Sequence, residues 1–130
     1  MDRELLKWAT HLHGHLGPFL VLGLMAGEEA TRRLGRDPLK SKAVVLCKPR
    51  PPRSCFADGV QLTTGCTLGK GNIEISDSDG ISLIYHLKGK KVKVSMKKDV
   101  LEELEAKMER EGLEELSEWV MKIDPFIVEE

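Results

Sequence analysis

Apolar and polar positions alternate along this chain in two rhythms, and the change from one to the other divides it. Between Asp2 and His11, Leu5, Leu6, Trp8 and Ala9 stand among charged residues at helical spacing, until Gly14 and Gly17 break the pattern. Pro18 suits a helix's first turn, where its missing N–H costs nothing. The apolar run that follows predicts a second helix to about Leu34, with Arg32 and Arg33 in its last turn and Gly35 as its stop. Gly23 and Gly27 lie one turn apart within it, a spacing that lets another backbone approach closely.

The rhythm then shortens. Ala43 to Leu46 reads as a buried strand running into the proline loop Lys48–Arg53, and Cys55 to Thr64 as a short helix. Ile73 and Ile75 alternate with polar neighbours, and two more strand patterns, Ile81–Leu87 and Lys91–Met96, flank a turn at Lys88-Gly89, which predicts an antiparallel meander. From Lys97 to Lys122 the 3.6-residue rhythm returns as two amphipathic helices divided at Gly112. The expectation is one α+β domain over residues 1–130, helices on a small antiparallel sheet, with a motif-bearing core at 5–96 and a helical part at 97–122.

Composition narrows the classes. With 130 residues, 41% of them hydrophobic, the chain can build a core, which excludes a disordered segment. A formal charge of −1 argues against nucleic acid as partner. The apolar stretch Pro18–Gly27 is far short of the roughly 20 residues that span a bilayer, and the opening Met1-Asp2-Arg3-Glu4 lacks the basic start of a secretion signal, so the cytoplasm is expected. Three cysteines, Cys47, Cys55 and Cys66, make an odd set that favours thiol or metal chemistry over a disulfide framework. A single Asn (Asn72) and a single Gln (Gln61) amid abundant Lys, Arg and Glu give a thermophile-like composition, and both amides lie near the cysteines.

The candidate chemistry falls in two places. His11, His13 and His15 alternate before Gly17-Pro18. His13 and His15 can meet at one ion only if the backbone turns between them, which Gly14 allows. Cys55 and Cys66 have no Cys-x-x-Cys spacing, yet two imidazoles and two thiolates would suit zinc, or iron under anaerobic conditions. His86 and Cys47 read as isolated strand residues. The loop Gly65–Asn72 is not a Walker A motif, although its glycine amides and Lys70 could cradle an anion, with Arg50 and Arg53 across the proline loop.

Together, His13-Gly14-His15-Leu16-Gly17-Pro18 and Cys55-x-x-Asp58-x-x-Gln61-x-x-Thr64-Gly65-Cys66-Thr67-x-Gly69-Lys70-Gly71-Asn72 resemble the FmdE-like family of formylmethanofuran dehydrogenase proteins over roughly Leu5 to Tyr85. The resemblance implies an α+β domain with a metal site, commonly zinc, associated with molybdenum or tungsten enzymes of one-carbon metabolism. It makes His13, His15, Cys55 and Cys66 the metal ligands, Gln61, Lys70 and Asn72 the ligand-binding residues, and Cys66 and Asp58 the candidate catalytic groups. The family usually has Cys where this chain has Gly17, so one thiolate is missing. Implied partners are a small anionic ligand or a molybdenum/tungsten enzyme complex; apart from the resemblance, a homodimer is the ordinary expectation for a compact cytoplasmic domain, with the Gly23/Gly27 face as one seam. Two alternatives stay open: a metal-free thiol redox protein using Cys55 and Cys66, and a non-catalytic anion- or partner-binding module.

Overall fold

A computed structural model describes residues 1–130. Helix α1, Arg3–His13, starts where the Asp2 carboxylate accepts the Glu4 N–H at 2.9 Å and ends where Gly14 takes a left-handed conformation. It runs two residues past the expected His11, which puts His13 in the final turn. Helix α2, Pro18–Leu34, is buried on nearly every side, as its almost uninterrupted apolar sequence requires. It lies against α3 (Cys55–Thr64) on one side and against α5 (Leu113–Met121) and the sheet on others.

The sheet has five strands, β1 (Lys42–Leu46), β2 (Ile73–Ser76), β3 (Ser82–Leu87), β4 (Lys90–Met96) and β5 (Phe126–Glu129), in the order β2-β1-β3-β4-β5. The α+β class is as expected, but the sheet is mixed. α3 carries the chain from β1 across to β2, a crossover that makes these two strands parallel, with Ala43 opposite Ile73. β3 then pairs antiparallel with the other edge of β1, so β2 and β3 are not neighbours. β3 and β4 form the expected hairpin, with Lys88 and Gly89 both at positive φ. Strand β5, beyond the expected helices, is antiparallel to β4, with Val128 opposite Val94. Helix α4, Lys98–Lys107, precedes α5.

The strands bury alternate residues only. Ala43, Val45, Leu83, Tyr85, Val92 and Val94 point into the core, while Lys42, His86 and Lys91 face solvent, so the helices cover one face of the sheet. Gly23 and Gly27 do mark a close approach, and it is internal: α3 covers that face through Phe56 and Thr63, which removes it as a seam between copies. No helix is long and apolar enough to cross a membrane.

Candidate functional site

The reversal at Gly14 decides the geometry of the first motif. His13 closes α1, Gly14 turns the backbone at φ 104°, and His15 follows in the linker before α2, bringing the two rings to 4.9 Å between centroids. Across from them, α3 presents Cys55, Asp58 and Gln61 at one-turn intervals along one face. The His13 Nδ1 and the Asp58 Oδ2 are 2.6 Å apart, and His13 is mostly buried. With Nδ1 held by the carboxylate, Nε2 is the nitrogen left to take a ligand. Asp58 Oδ1 receives the Gln61 amide at 3.4 Å, and Gln61 Oε1 accepts the Leu68 N–H at 2.9 Å. A chain of polar contacts therefore runs from α1 across α3 to the glycine loop.

Two hollows meet at this row. A cleft of about 170 Å³ is bordered by His13, His15, Gly17 and Cys55. A larger cavity of about 490 Å³ shares His13 and Cys55, continues past Asp58 and Gln61, and has Leu68, Ile73 and Ile75 as apolar walls. It lies between α3 and β2, with Pro51 of the proline loop and Leu68 at its border. The hydrophobic pattern showed Ile73 and Ile75 only as strand residues; the parallel placement of β2 gives them this second role. Leu68, 81% exposed at an unspecified position of the motif, carried no signal in the sequence beyond being an apolar residue in a polar loop.

Cys55 is partly exposed, whereas Cys47 and Cys66 are fully buried. Burial, and then the neighbouring Asp58 carboxylate, push the Cys55 thiol above the usual range, so it is protonated at neutral pH. Iodoacetamide is accordingly expected to label Cys55 alone in the folded protein, slowly at pH 7 and faster as pH rises beyond the ordinary thiol midpoint, with peptide mass spectrometry as the readout. Labelling of Cys66 at a comparable rate would contradict its burial.

The second motif goes elsewhere. Cys66 Sγ lies 3.2 Å from the Ser41 hydroxyl, just before β1 begins, while Cys55 follows the loop that leaves the other end of β1. Two rulers separate the thiols: the ten residues of α3, about 14 Å of helix, and the five of β1, about 13 Å of strand. The expected set of His13, His15, Cys55 and Cys66 thus cannot close on one ion, and a Cys55–Cys66 disulfide would need Cα atoms within about 7 Å. Lys70 Nζ donates to the Gly65 carbonyl at 2.6 Å and to the Thr67 hydroxyl at 2.9 Å, capping the end of α3. Asn72 is committed to Thr67, Pro38 and Ser41. Of the sequence-predicted ligand-binding residues, only Gln61 borders the cavity.

As they stand, no three His, Cys, Asp or Glu side chains are arranged to hold a metal ion. The donor chemistry that shares one cleft is His13, His15 and Cys55, two borderline nitrogens and a soft sulfur suited to zinc or iron.

Fold and site define a small α+β domain with a histidine–thiol–carboxylate cleft built between the α1–α2 turn and the start of α3. The family model described as "FmdE, Molybdenum formylmethanofuran dehydrogenase operon" matches residues 12–127, and the chain belongs to that family. It is also 38% identical over 77 residues to a "Probable S-adenosyl-L-methionine-binding protein" of Archaeoglobus fulgidus, a match covering 54% of this chain and 20% of the relative. The chain therefore spans about a fifth of the length of that curated relative.

Proposed function

We propose that this protein is a metal-dependent ligand-binding member of its family, an accessory to molybdenum- or tungsten-linked one-carbon metabolism, with the cleft beside α3 as its site. The supporting observation is the 2.6 Å pair between His13 and Asp58 at a cleft that also holds His15 and Cys55. A metal-ligating histidine usually has its second ring nitrogen fixed by a carboxylate, a carbonyl or water, and His13 has that arrangement. In this reading His13, His15 and Cys55 would hold zinc or iron, and Asp58 orients His13. The ion would supply Lewis acidity to a bound ligand. The protein's own contribution is to fix the imidazole, hold the thiol protonated, and wall the adjoining cavity with apolar side chains.

The test is the metal content of anaerobically purified protein, by mass spectrometry, for wild type, His15→Ala, Cys55→Ala and Cys66→Ala. Near-stoichiometric zinc or iron in the wild type and in folded Cys66→Ala, lost in the other two, is the expected result. A wild type that stays empty after incubation with zinc overturns the reading; loss in folded Cys66→Ala with retention in Cys55→Ala would return the thiol to the second motif. The name of the Archaeoglobus relative makes S-adenosyl-L-methionine the first organic ligand to try in the cavity.

A further inference from the structure

We propose that the cavity between α3 and β2 accepts an organic cation, an ammonium or sulfonium group on an apolar body, with Asp58 as its counter-charge. This rests on the reading of the His13–Cys55 end of α3 as the functional site and assigns the charge of what enters beside it. It also replaces the small anion that the motif resemblance implies.

The cavity is bordered by no Lys or Arg. The Asp58 side chain is 39% exposed, and its Oδ1 receives only a long contact from Gln61. Glu74 borders the same space from β2, but its carboxylate pairs with Lys42 at 3.5 Å. Leu68, Ile73 and Ile75 supply the apolar walls. A carboxylate bordering a partly desolvated apolar hollow attracts a cation more strongly than it would in bulk water, and repels an anion equally.

The groups that could have held an anion are engaged elsewhere or, like Arg50, border a different hollow. Lys70 is folded back onto Gly65 and Thr67. The first amides of α3, which would otherwise greet an anion, donate to preceding carbonyls: Cys55 to Pro52, Phe56 to Arg53 and Ala57 to Ser54, at 3.0–3.2 Å. Arg53 is forked onto Glu105, and Lys48 lies between Asp77 and Asp79, around a separate hollow. The apolar walls and the part-exposed Asp58 carboxylate, one oxygen of which pairs with His13, leave an amphiphilic cation as the matching ligand.

Saturation-transfer NMR on metal-stripped protein at pH 8.5, where imidazole is ordinarily neutral, compares phenethylammonium with 2-phenylethanol and 3-phenylpropionate. The cation is expected to bind about tenfold more tightly than the anion. Asp58→Asn should erase that preference. Leu68→Lys, a change at an exposed rim position that leaves His13 and Asp58 in place, should reverse it. An anion that binds as well as the cation, or a preference that survives both substitutions, overturns the proposal. Because no metal is present, this outcome is independent of the metal content that tests the site itself, and circular dichroism establishes that each variant is folded.

Discussion

Replacing Gly59 with alanine is expected to lower stability by about 3 kcal/mol, a large share of what a domain of this size possesses. A Cβ at Gly59 would sit 2.2 Å from the Leu20 carbonyl oxygen and 2.5 Å from the Leu24 amide nitrogen, both backbone atoms of α2. The facing contact is as tight, since a Cβ at Gly23 would meet the Phe56 carbonyl at 2.0 Å. Side chains can rotate away from an intruding methyl; two helical backbones can only separate. Alanine's better helix propensity offsets about 1 kcal/mol, which the clash exceeds.

The effect reaches the site, because Gly59 follows Asp58 directly, and separation of α3 from α2 carries the carboxylate away from His13. Urea unfolding should show a lower midpoint with unchanged slope, and the metal proposed for the cleft should be lost from the folded fraction. Gly80→Ala, where a Cβ meets nothing within 4 Å, is the control and should unfold with the wild type. Wild-type stability in Gly59→Ala would mean that α2 and α3 do not pack through their glycines.

What the sequence disclosed follows from how local each determinant is. The helices, the β3–β4 hairpin and the close approach at Gly23 were legible because periodicity, caps and small residues act within one or two turns. The parallel pairing of β1 with β2 was not. It depends on α3 folding over the sheet, and a short alternation such as Ile73–Ile75 reads the same in either direction. Strand β5 was visible only as Phe126 and Val128 alternating after Asp124-Pro125, a segment too brief to stand out until β4 offered it an edge.

The site divides along the same line. His13 and His15 meet through a glycine reversal and Cys55 and Asp58 share a face through a one-turn spacing, both readable locally, whereas the approach of His13 to Asp58 joins residues 45 apart in the chain. Cys66, Lys70 and Asn72 were grouped with them by residue chemistry and by the family resemblance, yet their separation is a distance across the fold: Cys66 emerges beyond one end of α3 and Cys55 begins the other. Polar residues in a glycine-rich loop announce hydrogen bonding without saying whether the partner is a ligand or the chain itself.

For Asn72 the partner is the chain, and Asn72→Ala is expected to cost about 3 kcal/mol while leaving the cleft's chemistry intact. Its Oδ1 accepts the Thr67 N–H at 2.9 Å, and its Nδ2 donates to the carbonyls of Pro38 at 2.9 Å and Ser41 at 3.2 Å. Its own carbonyl accepts the Ala43 N–H at 2.9 Å, at the start of the β1–β2 ladder. One amide therefore ties the loop before β1 to the loop before β2 and fixes where their parallel register begins. Truncation strands one donor and two acceptors in a half-buried place where water only partly replaces them. Asn72→Asp separates this clamp from a ligand-binding role. It keeps the acceptor for Thr67 but turns a carboxylate oxygen toward two carbonyls, so stability should fall at least as far as with alanine. Urea unfolding of both variants is the measurement, with metal content of the folded fraction alongside. Unchanged stability with lost ligand affinity would restore Asn72 to a binding site; lost stability with retained metal leaves the glycine loop as the fastening that holds β2, and with it one wall of the cavity, against the sheet.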